Sequence, residues 1–554
     1  MSNNKGLAWI SCYYKGTDWR LLLFLILFLN VKLLIKTGIV VLFFARERNF
    51  RFGFLLKNSR LPLFYLLLIA IGLLNWILLR QWTNTDYLLV TATGIFFWLL
   101  CILAIHQVKL AVERNRIETL EKTVLVFFLL NAAVSLAVYL GIIIETGHIN
   151  PYRYQGNFQK YFIGTGDYIK GISFDTSSTN AVLNAAGVIW FLQHQRFRMA
   201  LLCMAVLLLT GSNITNLLLC AVLLFIFIFQ SNRNQKSIII VCLLMLVVFL
   251  TKISPQNSNY LVDTWEKMLH GNYKRNFVQK KSIRITERPD STLSPDEMRE
   301  KTAQRYLDSL NRLLLAAEEK KTGLLQMAVL PEKFIEKPLI PKDSIHTPRF
   351  QHRPDTTATQ KEMIAFIASQ ADEVKMASSK QSGSRLPGKI QAYAQTLRFM
   401  KQHPGRIPLG CGIGNFSSKL AFRATAMNIA GGYPRSRQYI SKDFKENHLD
   451  LFLYYFTNRD DLHSVINSPN AAYDQLLGEY GLAGLLAFLF SYLLFFWRRI
   501  ARKSYALPLL LLLLGTLAVE YWFEQLSVVL LFELLFFLNH KEKEQTQSHV
   551  APGT

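Results

Sequence analysis

Cysteine is scarce in this chain, with six residues among 554. So few cysteines in so long a chain exclude a disulfide-stapled secreted scaffold. Acidic residues are also in the minority, because 62 Lys and Arg stand against 38 Asp and Glu and give a formal net charge of +24. This balance excludes an acidic disordered chain and an ordinary cytosolic enzyme.

Several motifs that carry chemistry in other proteins are missing. The chain has no HExxH or CxxC cluster and no Asp-x-Asp pair of the kind that nucleotide-sugar enzymes use. We therefore expect no bound metal and no cofactor. No internal repeat is visible, and no small-residue cleavage site follows the first apolar block, so we predict no cleavable signal peptide.

Apolar residues are abundant and are gathered in blocks. Hydrophobic residues make up 51% of the chain and the mean hydropathy is +0.20, although 18% of the residues are charged. A helix needs about 20 mostly apolar residues to cross a bilayer. We predict an all-α polytopic membrane protein with about 11–12 transmembrane helices. The eleven predicted spans are 21–44, 61–79, 87–105, 123–144, 174–192, 199–211, 214–229, 237–250, 475–497, 505–520 and 524–539.

Basic residues sort to one side of these spans. They fill the connections 45–60, 106–122 and 193–198, and they follow the ninth and the last spans. The positive-inside rule makes that side cytoplasmic, together with the C-terminus. One large periplasmic loop then lies between the eighth and ninth spans. The membrane accounts for the positive charge, so we expect no nucleic acid partner.

The chain divides into five segments on these grounds. They are an N-terminal transmembrane bundle (1–250), a variable periplasmic insertion (251–383), a second, family-like periplasmic segment (384–474), the C-terminal transmembrane helices (475–540) and a cytoplasmic tail (541–554). Within the insertion, residues 294–318 predict an amphipathic helix, and the polar stretch 331–360 predicts a flexible excursion.

Two segments of the outer loop resemble a known family. Residues 385–416 end in the glycine-rich run LGCGIGNF, and residues 468–488 read SPNAAYDQLLGEYGLAGLLAF. Upstream, residues 171–192 and the run LLTGSNITNLLL at 208–219 extend the match. In order and spacing these motifs resemble the bacterial O-antigen ligase and O-antigen polymerase superfamily of membrane glycosyltransferases. The insertion 252–383 is not covered.

The resemblance implies a metal-independent glycosyltransferase of the bacterial inner membrane, acting in lipopolysaccharide or polysaccharide biosynthesis. The donor would be an undecaprenyl-diphosphate-linked glycan, and the acceptor a hydroxyl of lipid-A core or of another glycan at the periplasmic face. Membrane lipids surround the spans. Ligase and polymerase share fold, donor and motifs and differ in the acceptor, which the sequence does not name.

The chain departs from the family at two basic positions. Asn213 stands where the family has Arg, and Asn470 stands where it has His. In the family these groups lie where the donor diphosphate meets the acceptor hydroxyl. The chain is therefore a divergent member that uses other residues, takes a different acceptor, or is inactive. His463 and His448 are near enough in sequence to substitute for the missing His.

Charged residues near the outer face are candidates for the chemistry of transfer. Arg385 matches the family's outer-loop Arg and is the first candidate to bind the diphosphate, because a guanidinium binds phosphate oxygens bidentately. Arg153 is a second candidate. Asp474 and His463 are candidates to take the acceptor proton. The remaining candidate substrate-binding residues are Asn180, Asn213, Asn415, Asn470 and Tyr473.

Each of these residues also has a structural interpretation. Arg385 is alternatively a solvated loop residue, and Asp474 a carboxylate that the dipole favours at a helix start. Asn180 is expected to hydrogen-bond across helices. We interpret the glycines of LGCGIGNF as a tight turn that returns the loop to the membrane, and Glu479 as a structural residue that needs a partner.

Two lysines in the first apolar block form a separate case. Lys32 and Lys36 are four residues apart, so one helix would place them on the same face near mid-membrane. A charge at that depth is costly without a partner. We expect a structural ion pair with Glu533 in the last span, or else contact with the carrier headgroup.

Two other functions remain open at this point. A polysaccharide transporter or flippase would fit the spans, although no two matching halves with interrupted helices are visible. A non-catalytic glycan-assembly protein would fit the loss of the family's Arg and His.

The topology itself is testable. Residues 251–474 are expected outside and the C-terminal tail inside, because the basic residues sort in that way. Single cysteines introduced at 498–503 should not react with a membrane-impermeant reagent in intact spheroplasts, while cysteines in the large loop should. Strong labelling at 498–503 would contradict the predicted orientation.

Overall fold

The structure is a computed structural model of the full chain. It describes residues 16–29, 32–55, 58–147, 149–153, 169–173, 176–254, 365–366, 387–427, 432–456, 465, 468–501 and 503–550. The predicted amphipathic helix at 294–318 and the predicted excursion at 331–360 lie outside these residues.

Contacts divide the chain into two units. The first comprises residues 1–141, 163–249 and 355–554, and the second comprises 142–162 and 250–354. In the described part of the second unit, Pro151–Arg153 forms a 3-10 turn and the Asn150 side chain donates to the Ile253 carbonyl at 3.0 Å. The account that follows concerns the first unit.

The N-terminal half is a series of nine α-helices in the described ranges. They are α1 (Trp19–Phe28), α2 (Leu33–Arg46), α3 (Phe64–Leu78), α4 (Thr85–Arg114), α5 (Ile117–Thr146), α6 (Ser177–Gln193), α7 (Phe197–Leu209), α8 (Asn213–Phe229) and α9 (Arg233–Val248). Polar side chains cap the N-terminal ends of several of these helices. Asp18 accepts from two backbone N–H groups of α1, Asn84 caps α4, and Asn232 and Gln235 form a capping box on α9.

The C-terminal half is also helical. It contains α10 (Gly388–Gln402), α11 (Lys419–Ala424), α12 (Lys442–Asn447), α13 (Leu449–Phe456), α14 (Ala472–Phe488), α15 (Leu494–Arg499), α16 (Ala506–Leu517), α17 (Trp522–Gln525) and α18 (Val529–Val550). A π-helical turn at Leu489–Leu493 joins α14 to α15. No strand occurs in the described ranges, in agreement with the predicted all-α fold class.

Four helices of the described residues are long and apolar enough to cross a membrane. They are Thr85–Arg114, Ile117–Glu145, Arg233–Ile253 and Ala472–Arg499. Five further apolar helices of 10–17 residues lie at other predicted spans. The protein is thus an α-helical, membrane-associated chain, and the count of eleven spans stays a prediction.

Helices extend beyond the predicted spans in two places. Most of the connection 106–122 is helical, because α4 runs to Arg114 and α5 begins at Ile117. Helix α18 likewise continues past residue 539 to Val550. In both places polar and charged residues extend an apolar helix, since Lys, Arg, Glu and Gln are good helix formers.

The first predicted span is not one continuous helix in the described residues. Helix α1 ends at Phe28, and Lys32 is the extended N-cap of α2, with φ −69° and ψ 119°. Lys32 and Lys36 therefore do not share a face of one helix. The Lys36 ammonium donates to the Gln525 carbonyl, while the Glu533 carboxylate accepts from the Tyr65 hydroxyl at 2.6 Å, so the expected Lys–Glu ion pair is wrong.

Helix α14 is broken at Gly481, where the glycine-rich loop docks. Gly481 has φ 64° and ψ −160°, values that side chains strongly disfavour. The break frees backbone groups that pair with the loop. Cys411 and Gly412 donate to the carbonyls of Gly478 and Glu479 at 2.9 and 3.0 Å, and Leu482 donates to the carbonyl of Ile407 at 2.8 Å.

The two glycines at this contact have no room for a side chain. A Cβ at Gly410 would lie 2.5 Å from the Glu479 carbonyl carbon, and one at Gly481 would lie 2.5 Å from the Gly410 nitrogen. Gly410 also has a positive φ of 76°. The backbones therefore approach as closely as glycine permits, which agrees with the predicted tight turn.

The Glu479 side chain completes the junction. Its carboxylate is buried and accepts from the backbone N–H groups of Gly414, Phe416 and Ser418 at 2.9, 3.4 and 3.2 Å. The predicted structural role of Glu479 is confirmed, and its partners are the loop that follows the glycines.

Substituting either glycine should destabilise the protein. Gly410→Ala and Gly481→Ala each force a strained φ and a clash with backbone, so we expect a loss of about 1–3 kcal/mol or more in the free energy of unfolding. Gly405→Ala is the matched control, because a Cβ there meets nothing within 4 Å. Thermal unfolding in detergent measures the difference. Equal stability of all three variants would contradict the close backbone contact.

Candidate functional site

Asp474 lies in the first turn of α14 and is fully buried. Its Oδ1 accepts from the Thr396 hydroxyl at 2.5 Å, and Thr396 comes from the middle of α10. The predicted helix-start interpretation is confirmed. The sequence predicts Asp474 at the open outer mouth of the ninth span, whereas in the structure helix α10 covers its carboxylate.

His448 adds a third side chain to this pair. It caps the end of α12, is fully buried, and places Nε2 3.0 Å from the Thr396 Oγ1 and 3.9 Å from the Asp474 Oδ2. The Phe416 ring packs edge-on against the imidazole, with ring centroids 4.6 Å apart. Burial lowers the pKa of His448 to about 3, so the ring is neutral at physiological pH.

The three side chains are linked by hydrogen bonds. The Thr396 hydroxyl has one proton and two acceptors in reach, Asp474 Oδ1 at 2.5 Å and the Ala392 carbonyl oxygen at 3.1 Å. Its oxygen then accepts from His448 Nε2–H. His448 Nδ1 and Asp474 Oδ2 are the buried ends of this chain and have no hydrogen-bond partner among the described residues.

Lys389 anchors the other end of α10. Its ammonium is buried and donates to the carbonyl oxygens of Ser468, Asn470 and Val519. Burial lowers the pKa of Lys389 to about 8, while Glu520 and Asp474 act in the opposite direction. Three carbonyls use all three donors of the ammonium, so this lysine holds helix α10 against the start of α14.

We refer to Lys389, Thr396, His448, Asn470 and Asp474 as the Asp474 cluster. Asn470 belongs to it through its carbonyl, and its side-chain amide donates to Glu520 Oε1 at 2.8 Å. The cluster thus joins α10, the α12–α13 corner, the start of α14 and the turn before α17.

The structure brings together three of the residues predicted for the site. Asp474 and Asn470 are in the cluster, and Tyr473 is adjacent but turns its hydroxyl to the Leu514 carbonyl at 2.8 Å. Arg385 and His463 lie outside the described residues. Arg153 lies in a 3-10 turn of the second unit, and its side chain is not among those described.

The other predicted asparagines lie outside the Asp474 cluster. Asn415 donates to the Cys411 carbonyl at 3.0 Å and accepts from the Tyr439 hydroxyl at 2.8 Å, which braces the glycine-rich loop. Asn213 is the first residue of α8, the helix that follows the turn at 210–212.

Asn180 forms a buried polar contact between helices. Its Oδ1 accepts from Asn131 of α5 at 2.8 Å, and its Nδ2 donates to Ser135 at 3.1 Å and to the Ile169 carbonyl at 2.8 Å. The expected hydrogen bonding across helices is confirmed. These partners are separate from the Asp474 cluster.

Lys389 and Thr396 were not predicted as site residues, although the sequence contains a signal for them. They are seven residues apart on α10, which places them two turns apart on one face. Two polar residues on the buried face of an amphipathic helix indicate a polar partner surface. His448 was singled out only by its distance from Asn470 along the chain.

No protein-family model, no curated protein and no solved structure matches the chain.

Removing the Thr396 hydroxyl should be costly. Thr396→Val keeps the shape but leaves the buried Asp474 Oδ1 and His448 Nε2 without their partner, so we expect a loss of about 1–3 kcal/mol in unfolding free energy. Thr37→Val is the control, because the Thr37 hydroxyl donates to the carbonyl four residues earlier, at 2.9 Å. Thermal unfolding in detergent compares the two. A Thr396 variant as stable as the Thr37 variant would contradict the hydrogen-bonded chain.

Proposed function

We propose that the protein transfers or polymerises glycans carried on undecaprenyl diphosphate, at the periplasmic face of a bacterial inner membrane. The reaction forms a bond between an acceptor hydroxyl oxygen and the anomeric carbon of the glycan. The bond from that carbon to the carrier diphosphate breaks, and the diphosphate leaves with the electron pair. The acceptor hydroxyl loses its proton to a base.

The observation that carries this proposal is the interlocking of the two family-like segments. The glycine-rich loop at 410–418 and the helix that begins at Ala472 lie about 60 residues apart in sequence, yet they are joined by backbone pairs and by the Glu479 carboxylate. The motifs that resemble the glycosyltransferases therefore form one folded element. Such an element supports a common role for the two motifs.

A leaving diphosphate needs fixed cations, and the structure narrows the candidates. Lys389 is close to the start of α14, but its three donors are already bound to carbonyl oxygens. It therefore positions α10 and is not free to bind phosphate. Arg385 precedes Lys389 by four residues in the sequence. Arg385 remains the first candidate and Arg153 the second.

The Asp474 cluster has a positioning role in this proposal. The side chains of Lys389, Thr396, His448 and Asp474 are buried, so they do not meet a substrate in the described arrangement. The hydrogen-bonded chain from His448 to Asp474 fixes α10 and α14 relative to each other. His463 is the candidate for direct proton transfer from the acceptor.

Substitution of the two arginines tests the proposal. Arg385→Ala should lower glycan transfer by about 100-fold to 1000-fold, the scale of losing one preorganised charge-stabilising donor. Arg385→Lys should lower it less, because charge remains but the bidentate fork is lost. Arg153→Ala should also impair transfer. Arg437→Ala is the control, since its side chain is 59% exposed.

The assay is glycan transfer by membranes at matched protein levels. Wild-type transfer by both Arg385→Ala and Arg153→Ala would remove the proposed diphosphate ligands and favour a non-catalytic assembly protein. Deleting the gene and examining the glycans that accumulate then distinguishes the candidate activities. Single unpolymerised units indicate a polymerase, long chains left on the carrier indicate a ligase, and glycan trapped on the cytoplasmic side indicates a flippase.

A further inference from the structure

Three helices of the first unit bring polar side chains together on the side that the basic residues predict to be cytoplasmic. Glu121 lies near the start of α5, His194 caps the end of α6, and Glu542 lies in the second half of α18. One ligand atom from each residue lies within 4.8 Å of the others. No sequence motif joins these residues, since they are spread over more than 400 positions.

The histidine directs its Nε2 atom at the two carboxylates. Its Nδ1 lies 2.9 Å from the Trp190 carbonyl oxygen, which only accepts, so Nδ1 carries the proton. Nε2 then points to Glu121 Oε1 at 4.0 Å and to Glu542 Oε1 at 3.7 Å. Metal-binding histidines are commonly oriented by such a hydrogen bond from the other ring nitrogen.

The second oxygen of each carboxylate accepts a hydrogen bond. Arg196 donates to Glu121 Oε2 at 2.7 Å, and Asn539 donates to Glu542 Oε2 at 3.4 Å. The first oxygens are left facing the imidazole. Glu542 Oε1 is buried and makes no hydrogen bond of normal length among the described residues, while the Tyr505 hydroxyl also lies beside this carboxylate. A buried, unsatisfied carboxylate oxygen is costly unless a cation or a proton meets it.

We propose that Glu121, His194 and Glu542 bind one Zn²⁺ ion. Two ligand atoms that each lie about 2.1 Å from one ion are at most about 4.2 Å apart, and the two distances from Nε2 fall within that limit. The two carboxylate oxygens lie within 4.8 Å of each other and would draw closer on binding the ion. One imidazole and two carboxylates are ligands that zinc takes readily. The ion would cancel the repulsion of the two carboxylates and would tie the ends of three helices together. This site is independent of glycan transfer.

Zinc binding by the purified full-length chain tests the proposal. The protein is prepared in detergent with an affinity tag that contains no histidine, treated with a chelator and titrated with ZnCl₂ by calorimetry. We expect one ion per chain with micromolar or tighter affinity, and a rise in the unfolding temperature when zinc is added.

Conservative variants assign the ion to these residues. Glu121→Gln, His194→Gln and Glu542→Gln should each weaken zinc binding at least about 10-fold. Glu118→Gln is the control, because Glu118 is exposed on the same helix one turn earlier, and it should bind like the wild type. Their unfolding temperatures without zinc show that each variant is folded.

Two results would overturn the proposal. A wild-type chain that binds no zinc at this affinity would leave the trio as an ordinary histidine–glutamate contact. Binding that survives all three ligand substitutions would place the ion elsewhere in the chain.

Discussion

The arrangement of the C-terminal half of the described protein depends on the contact between Gly410 and Gly481. Two backbones approach so closely that neither position accepts a Cβ, and the freed amide and carbonyl groups of the broken helix pair with the loop. Glu479 then gathers three further N–H groups. Because buried backbone N–H and C=O groups need hydrogen-bond partners, this pairing offsets the free-energy cost of breaking a helix in an apolar segment.

The Asp474 cluster builds on that contact. Once the loop is fixed, Phe416 packs against His448, and His448 reaches Asp474 through Thr396. Lys389 closes the arrangement with three carbonyl bonds. A buried lysine, a neutral histidine and a buried carboxylate are each costly alone, and their shared hydrogen bonds offset that cost. The cluster therefore fixes the position of α10, the helix that follows Arg385.

The Asp474 cluster and the trio of Glu121, His194 and Glu542 are separate groups of polar side chains among the described residues. In the Asp474 cluster the histidine is buried and neutral, which suits the proposed positioning role. The trio is half-buried, and its two carboxylates face one imidazole nitrogen. Glycan transfer on one side and metal binding on the other are separate proposals, since no residue belongs to both.

The sequence by itself determined the all-α fold and the apolar helices, because apolar periodicity and helix caps are local. It also indicated the tight turn at the glycines and the structural role of Glu479. Only the tertiary structure decided which groups meet. Lys36 bonds the Gln525 carbonyl instead of Glu533, Asp474 is covered by Thr396, and Glu121, His194 and Glu542 converge from three helices. Such pairs depend on how distant helices pack, and spacing along the chain does not encode them.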